Sequence, residues 1–349
     1  MAISKKPTSS PLHHQQITMF PGTFRKGNGS SGGVGKDLKQ RVNICMNKLS
    51  DRDTEAMAAS ELEAMALDLS AHSLPSFLSA VSDTRPTDKT PLRRHSLRLL
   101  SLLSRTQPPQ SLSPFLPRMV STVLRRLRDP DSSVRSACVN AVRDMSCASC
   151  GGGASSSFYS VFLKPLSESL FLEQDHNAQV GLAMCLAAAI DEVSTVCADR
   201  DRGVCNYDLQ QHLKRLVPRL VNLSKKDSFK AKGDLLSLLG SIVVAGGAST
   251  PAMLAIIIPC LAESLASDDW AVRKAAAEAL TCAAAIPDPQ LLSEFKTSYF
   301  SSFHARRFDK VKIVRDSMHR MLAKWKEVPD GSHVEARFQT AICIELCGK

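Results

Sequence analysis

Between Asp268 and Ala283 the chain reads DDWAVRKAAAEALTCA. Apolar or small residues recur at Val272, Ala275, Ala276, Ala279, Leu280 and Ala283, offsets of 0, 3, 4, 7, 8 and 11 that line one face of an α-helix. Arg273, Lys274 and Glu278 fall on the other face, and the alanines favour a slim helix suited to close packing. The same frame recurs from Val134 (Ala137, Cys138, Ala141, Val142, Met145), from Val314 (Ser317, Met318, Met321, Leu322, Trp325) and from Leu92 (His95, Ser96, Leu99, Leu100, Leu103). Val180 gives Ala183, Met184, Ala187 and Ala188; Ala231 gives Leu235, Leu238, Leu239 and Ile242; Ala58 gives Leu62, Met65, Ala66 and Leu69. The seven anchors 58, 92, 134, 180, 231, 272 and 314 are separated by 34, 42, 46, 51, 41 and 42 residues.

A helical period of roughly 40–47 residues is the mark of HEAT and armadillo repeats. The expected fold is all-α, a solenoid of about seven antiparallel helix pairs over residues 37–326. Three anchors share a local motif, DPDSSVRSA, DDWAVRKAA and DKVKIVRDS. An apolar helix also precedes each anchor, for example Leu116, Met119, Val120, Val123 and Leu127 before Val134. The chain of 349 residues is 44% hydrophobic but only 5% aromatic, which fits aliphatic seams between stacked helices.

Residues 1–36 read as a disordered, basic Ser/Gly-rich leader, and residues 327–349 as an irregular C-terminal tail. The connection over residues 194–208 reads as a long polar one, and CASCGGGASSS from Cys147 as a break. The leader has no apolar core of a signal peptide, and the run Ala252–Ala262, interrupted by Pro259, is too short to span a bilayer. The odd count of eleven cysteines fits reduced thiols and a cytoplasmic chain.

Half of the net charge of +10 lies in the leader, which leaves 39 basic against 34 acidic residues over the remainder. That excess suits an acidic protein partner and is too mild for a continuous nucleic-acid groove. The candidate chemistry is correspondingly thin. Gly27–Gly32 matches a dinucleotide-binding spacing with no strand before it, and Lys36 is followed by Asp37 where a phosphate loop needs Ser or Thr. Cys147 and Cys150 form a single CxxC with no second ligand pair, so no metal site is expected. His95 sits on an inner frame and reads as a satisfied, half-buried histidine. Asp131, Asp268 and Asp269 stand at helix starts, where capping explains them. No catalytic constellation and no cofactor motif is present, so the chain reads as a binding protein and not an enzyme.

Arg135, Arg273 and Arg315 occupy one frame position and are expected to bridge to acids of neighbouring repeats. The turns inside each helix pair carry recurring basic residues: Arg52, Lys89, Arg128, Lys225, Lys226, Lys230, Arg306, Arg307, Lys310 and Lys312. In a stacked array these turns fall along one edge and form a stripe. Trp270 stands in one of them, either as a plug over the helix junction or as an interface anchor.

DLKQRVNICMNKLSDRDT (Asp37–Thr54), DDWAVRKAAAEAL (Asp268–Leu280) and RRFDKVKIVRDSM (Arg306–Met318) together resemble the plant Tortifolia/Spiral family of microtubule-associated proteins. The resemblance covers Asp37 to Lys326. It implies an array similar to the tubulin-binding TOG type, in which loops between paired helices meet tubulin. It further implies a cytoplasmic, microtubule-bound protein that helps to orient cortical arrays in plant cells. The alternative reading is a HEAT scaffold for another protein partner, actin or an adaptor linked to the nuclear envelope.

Overall fold

The computed structural model describes residues 31–150, 158–199 and 203–330. The described residues form helices joined by turns, with no strand among them. Seven pairs follow one another: α1 (Ser31–Lys48) with α2 (Glu55–Leu67), α3 (Leu74–Val81) with α4 (Thr90–Thr106), and α5 (Leu116–Arg126) with α6 (Ser132–Cys150). Then come α7 (Lys164–Leu172) with α8 (His176–Asp199), α9 (Gly203–Ser224) with α10 (Lys232–Val244), α11 (Pro251–Ser264) with α12 (Trp270–Ala284), and α13 (Ser293–Ala305) with α14 (Lys312–Glu327). Short turns of helix lead into α5, α7 and α13.

The second helices pack on one another in an unbroken row, α2–α4–α6–α8–α10–α12–α14, and the first helices cover its outer side. The frames read from the sequence point into this row. Every frame residue of α4, α6, α12 and α14 is buried, and Trp325 of α14 donates its indole N–H to Leu280 O at 2.9 Å. Small residues set the spacing: at Gly240 of α10 an added methyl would lie 3.4 Å from Ala279 Cα of α12. Prolines sit inside first helices, Pro218 in α9 and Pro259 in α11. Each removes one backbone hydrogen bond, yet the helix runs on through it, because the packed stripe on either side holds the turn.

The structure departs from the sequence reading in four places. The first helix begins at Ser31 rather than Asp37; the rest of the leader, the Gly151–Ser157 stretch and the tail from Gly331 lie outside the described residues. Most of the supposed connection over 194–208 is helix, since α8 extends to Asp199 and α9 starts at Gly203. Of the expected frame of α8, Ala183 and Ala188 are buried and Val180 and Ala187 half-buried, but the buried face begins earlier, at Ala178. Ala178, Gly181, Leu182, Cys185, Leu186 and Ala189 are buried, whereas Met184 is exposed. Lastly, α8 holds a stretch, His176–Val196, long and apolar enough by composition to cross a membrane. It is packed between α6 and α10, which accounts for its apolar character as that of a core helix.

Candidate functional site

The turns of the third, fourth, sixth and seventh helix pairs are built by a recurring clamp. An arginine one residue past the buried anchor folds back over its own turn. Arg135 Nη1 donates to Asp129 O (2.7 Å) and Pro130 O (2.9 Å), Arg273 Nη1 to Ser267 O and Asp268 O (both 2.9 Å), and Arg315 Nη1 to Asp309 O (2.7 Å) and Lys310 O (3.1 Å). Gln179 takes the same place in the fourth pair, its Nε2 donating to Glu173 O at 3.0 Å. An aspartate caps the next helix from the same turn: Asp131 on Ser133 N, Asp175 on Ala178 N and Asp269 on Ala271 N, at 2.8–2.9 Å, while Asp309 accepts from Val311 N at 2.8 Å in the turn just before α14. Asp268, read as a cap from the sequence, is exposed and caps nothing; its contribution is the carbonyl that Arg273 holds.

The turns are also tied to one another. Lys89 Nζ donates to Ser50 O at 2.8 Å, Arg93 pairs with Asp129 at 3.2 Å, and Arg126 donates to Thr84. Arg128 makes a two-pronged pair with Glu173 at 3.1 Å, and Lys230 N–H donates to Gln179 Oε1 at 2.9 Å. The start of α10 at Gly233 faces the backbone of Ala271, Arg306 Nη1 donates to Leu265 O at 3.3 Å, and Arg273 grips Asp309 at 2.6 and 3.0 Å. The seven turns therefore form one continuous, cross-linked edge. The expected ladder of arginines is partly present. Arg273 reaches the acid of the next repeat, Arg93 does so where the sequence reading had no member, and Arg135 and Arg315 serve only their own turns.

The electrostatics follow from these contacts. The hydrogen bond from Arg273 holds the Asp309 carboxyl below its ordinary range, and the same bond raises the guanidinium. At Glu173 burial pushes upward, but the backbone N–H groups of Asp175 and Gln174 together with Arg128 outweigh it, so this carboxyl also lies below its usual value. These acids stay charged and stay in place.

All of the basic residues singled out from the sequence lie on this edge, but their states differ. Arg128 is spent on Glu173. Lys225, Lys226, Lys230, Lys310 and Lys312 are exposed, and none of their ammonium groups has a partner among the described residues. Arg52 is exposed in the first turn, at the far end of the array. Arg307 lies over the Phe308 ring at 4.0 Å, with Nη1 on His304 O at 2.9 Å. Two basic turns, residues 225–231 and 306–311, thus flank the turn that carries Trp270. The indole is 46% exposed, Phe308 is 74% exposed and Ile313 43%. Phe308 and Ile313 were not singled out from the sequence; the available signal was an aromatic inside the otherwise charged RRFDKVK. Such a surface offers apolar anchors inside a cationic rim, the arrangement of a protein-binding patch.

Away from the edge, His95 departs from expectation. It is buried, and its Nε2 has no hydrogen-bond partner, the Glu63 carboxylate lying 3.9 Å away. Burial lowers its pKa below that of a free histidine. Cys138 and Cys185 are buried with thiol pKa values pushed up, Cys185 to about 12, which makes them inert packing residues.

A family model described as TORTIFOLIA1 N-terminal matches residues 36–327. The chain belongs to this family. Among its curated relatives in Arabidopsis thaliana, TORTIFOLIA1-like protein 4 is 47% identical over 84% of this chain and 44% of its own length. TORTIFOLIA1-like protein 5 is 44% identical over 85% of this chain and 56% of its own length, and the microtubule-associated protein TORTIFOLIA1 is 31% identical over 86% and 33%. The chain thus spans about half the length of the first two relatives, and a third of the last. Among solved structures, crystalline Kap121p superposes with a TM-score of 0.57 at 16% identity, covering 85% of this chain and 29% of Kap121p, which supports the α-solenoid fold.

Proposed function

We propose that this chain is a non-catalytic microtubule-binding protein and that the turn edge is its tubulin-binding surface. Trp270 is the apolar anchor, with Lys225, Lys226, Lys230, Arg306, Arg307, Lys310 and Lys312 as the surrounding cationic rim; Arg52 and Arg128 have lesser parts, the latter through Glu173. The observation that carries the reading is the half-exposed Trp270 between two basic turns on a rigid edge, in a family that includes a microtubule-associated protein. Cations on such an edge steer an acidic partner and fix its register, while the buried aromatic contact slows its departure. On this reading the protein acts in the cytoplasm, on the microtubule cytoskeleton, and helps to organise cortical arrays.

The test is co-sedimentation of the chain with microtubules, actin filaments and double-stranded DNA over a range of salt. Binding to microtubules alone, weakening as salt screens the rim, is the expected outcome. Pelleting with actin but not microtubules would establish the scaffold reading instead, and equal retention by DNA would mean that charge alone drives association.

A further inference from the structure

Two cavities of about 690 Å³ and 650 Å³ adjoin one another over α3, α5 and α7, sharing Asp83, Leu124 and Arg125 in their walls. The first also takes in Ser79, Ser82, Arg118 and Ser121. The second runs past Thr84 and Arg85 to Arg128 and Glu173. Together they make a groove that starts at the second to fourth turns of the edge and climbs onto the outer layer of first helices.

The charges along this groove are unevenly satisfied. Arg85 and Arg118 are exposed, and neither guanidinium has a partner among the described residues. Arg125 is exposed and uses only Nη2, donating to Ser82 O at 3.2 Å and Thr122 Oγ1 at 3.3 Å. At the far end Lys39 of α1 places Nζ 3.2 Å from Ser79 Oγ. Against these four cations stands one uncommitted acid, Asp83, because Glu173 is already held by Arg128. The crowding of positive charge reaches inward: Arg126 is held below its ordinary value by burial first and by Arg125 next. Ser82 Oγ, in the wall of the first cavity, is a polar atom without a hydrogen-bond partner.

We infer that this groove binds an extended acidic peptide rich in carboxylates. The cations are strung out over three repeats and do not converge on a point, so a compact anion would meet only some of them. Guanidinium groups pair with side-chain carboxylates through two parallel hydrogen bonds, and clusters of arginine are a recurring means of recognising acidic segments. Asp83, placed between Arg118 and Arg85 in the wall, repels a dianion but accepts from the backbone N–H of an extended chain. The groove lies at the opposite end of the edge from Trp270, and its occupancy does not depend on the microtubule reading.

The experiment is fluorescence anisotropy of a fluorescein-labelled oligoglutamate with the full chain. Saturable binding that weakens with salt is expected, and a charge reversal at the groove, Arg85→Glu with Arg118→Glu, should weaken it at least about tenfold. The reversal Lys324→Glu with Lys326→Glu, two exposed lysines at the end of α14 that belong to neither surface, should change it less than about twofold. Melting temperature checks each variant. Should the glutamate pair fail to fold, Arg85→Gln with Arg118→Gln is to lower affinity in the same direction by a smaller factor. Absence of saturable binding, or equal losses from both charge reversals, would overturn the assignment.

Discussion

Trp270 opens α12 with nearly half of its indole in solvent, so its removal takes little from the fold. Trp270→Ala should stay within about 0.5 kcal/mol of the parent in stability. Its dissociation from microtubules should quicken about thirtyfold, the size of a hot-spot truncation near 2 kcal/mol. A fall in melting temperature with an unchanged dissociation rate would make Trp270 a plug. Arg273 is different in kind, since its pair with Asp309 is largely shielded and it also holds two carbonyls of its own turn. Arg273→Ala should cost about 3 kcal/mol by stranding the shielded Asp309, measurable by urea unfolding. His95 gives a pH dependence. Its folded pKa is lowered by burial from an ordinary value near 6.5, so between the two values only the unfolded chain takes up the proton. Stability therefore falls as pH drops below about 6.5, until the folded value is reached. His95→Leu should shrink the loss of melting temperature between pH 7.5 and 5.5; an unchanged loss would assign it to other groups, His212 among them. The shared position of Arg135, Arg273 and Arg315 was legible from the sequence because it recurs at a fixed offset from buried anchors, but their hold on their own turns was not. Phe308 was not, since an aromatic residue in a chain of core helices is ordinarily read as interior, and Arg93 was hidden because its turn lacks the local motif of the other three.

Helix seams depend on small residues at fixed depth. Ala276 and Ala279 of α12 are buried in the row, and Gly240 of α10 faces Ala279. Ala276→Leu should overpack this seam and cost about 1–3 kcal/mol. Gly240→Ala should be neutral or stabilise by up to about 1 kcal/mol, because its methyl would make an ordinary contact while the helix sheds a glycine. Chemical denaturation distinguishes the two signs. The helix frames were legible wherever one face is apolar and the other charged, as in α4, α6, α12 and α14. They were misread in α8, which is apolar nearly all round. There Val180 and Met184 looked like the frame, yet the inner face uses Gly181 and begins at Ala178, just after the Asp175 cap. In such a helix the capping aspartate and the clamp at Gln179 fix the frame better than hydrophobicity does. The ends of α8 and α9 were missed for a related reason. Residues 194–208 are largely polar in sequence, which leaves no apolar period to read.

At the scale of the whole molecule the cross-linked turns make one rigid ruler, and function on this account lies in which charges the links leave free. Arg128, Glu173, Arg273 and Asp309 are consumed in holding the edge, whereas Lys225, Lys226, Lys310 and Lys312 remain open on either side of Trp270. The sequence showed that the turns are basic but not which bases are spent, because pairing across repeats depends on the stacking of turns about 40 residues apart. Microtubule co-sedimentation of the folded quadruple variant Lys225→Glu, Lys226→Glu, Arg306→Glu, Arg307→Glu tests the central claim most directly. The account predicts that it stays in the supernatant at salt concentrations where the parent pellets, with a circular dichroism spectrum unchanged. A variant that is folded and pellets as well as the parent would contradict it.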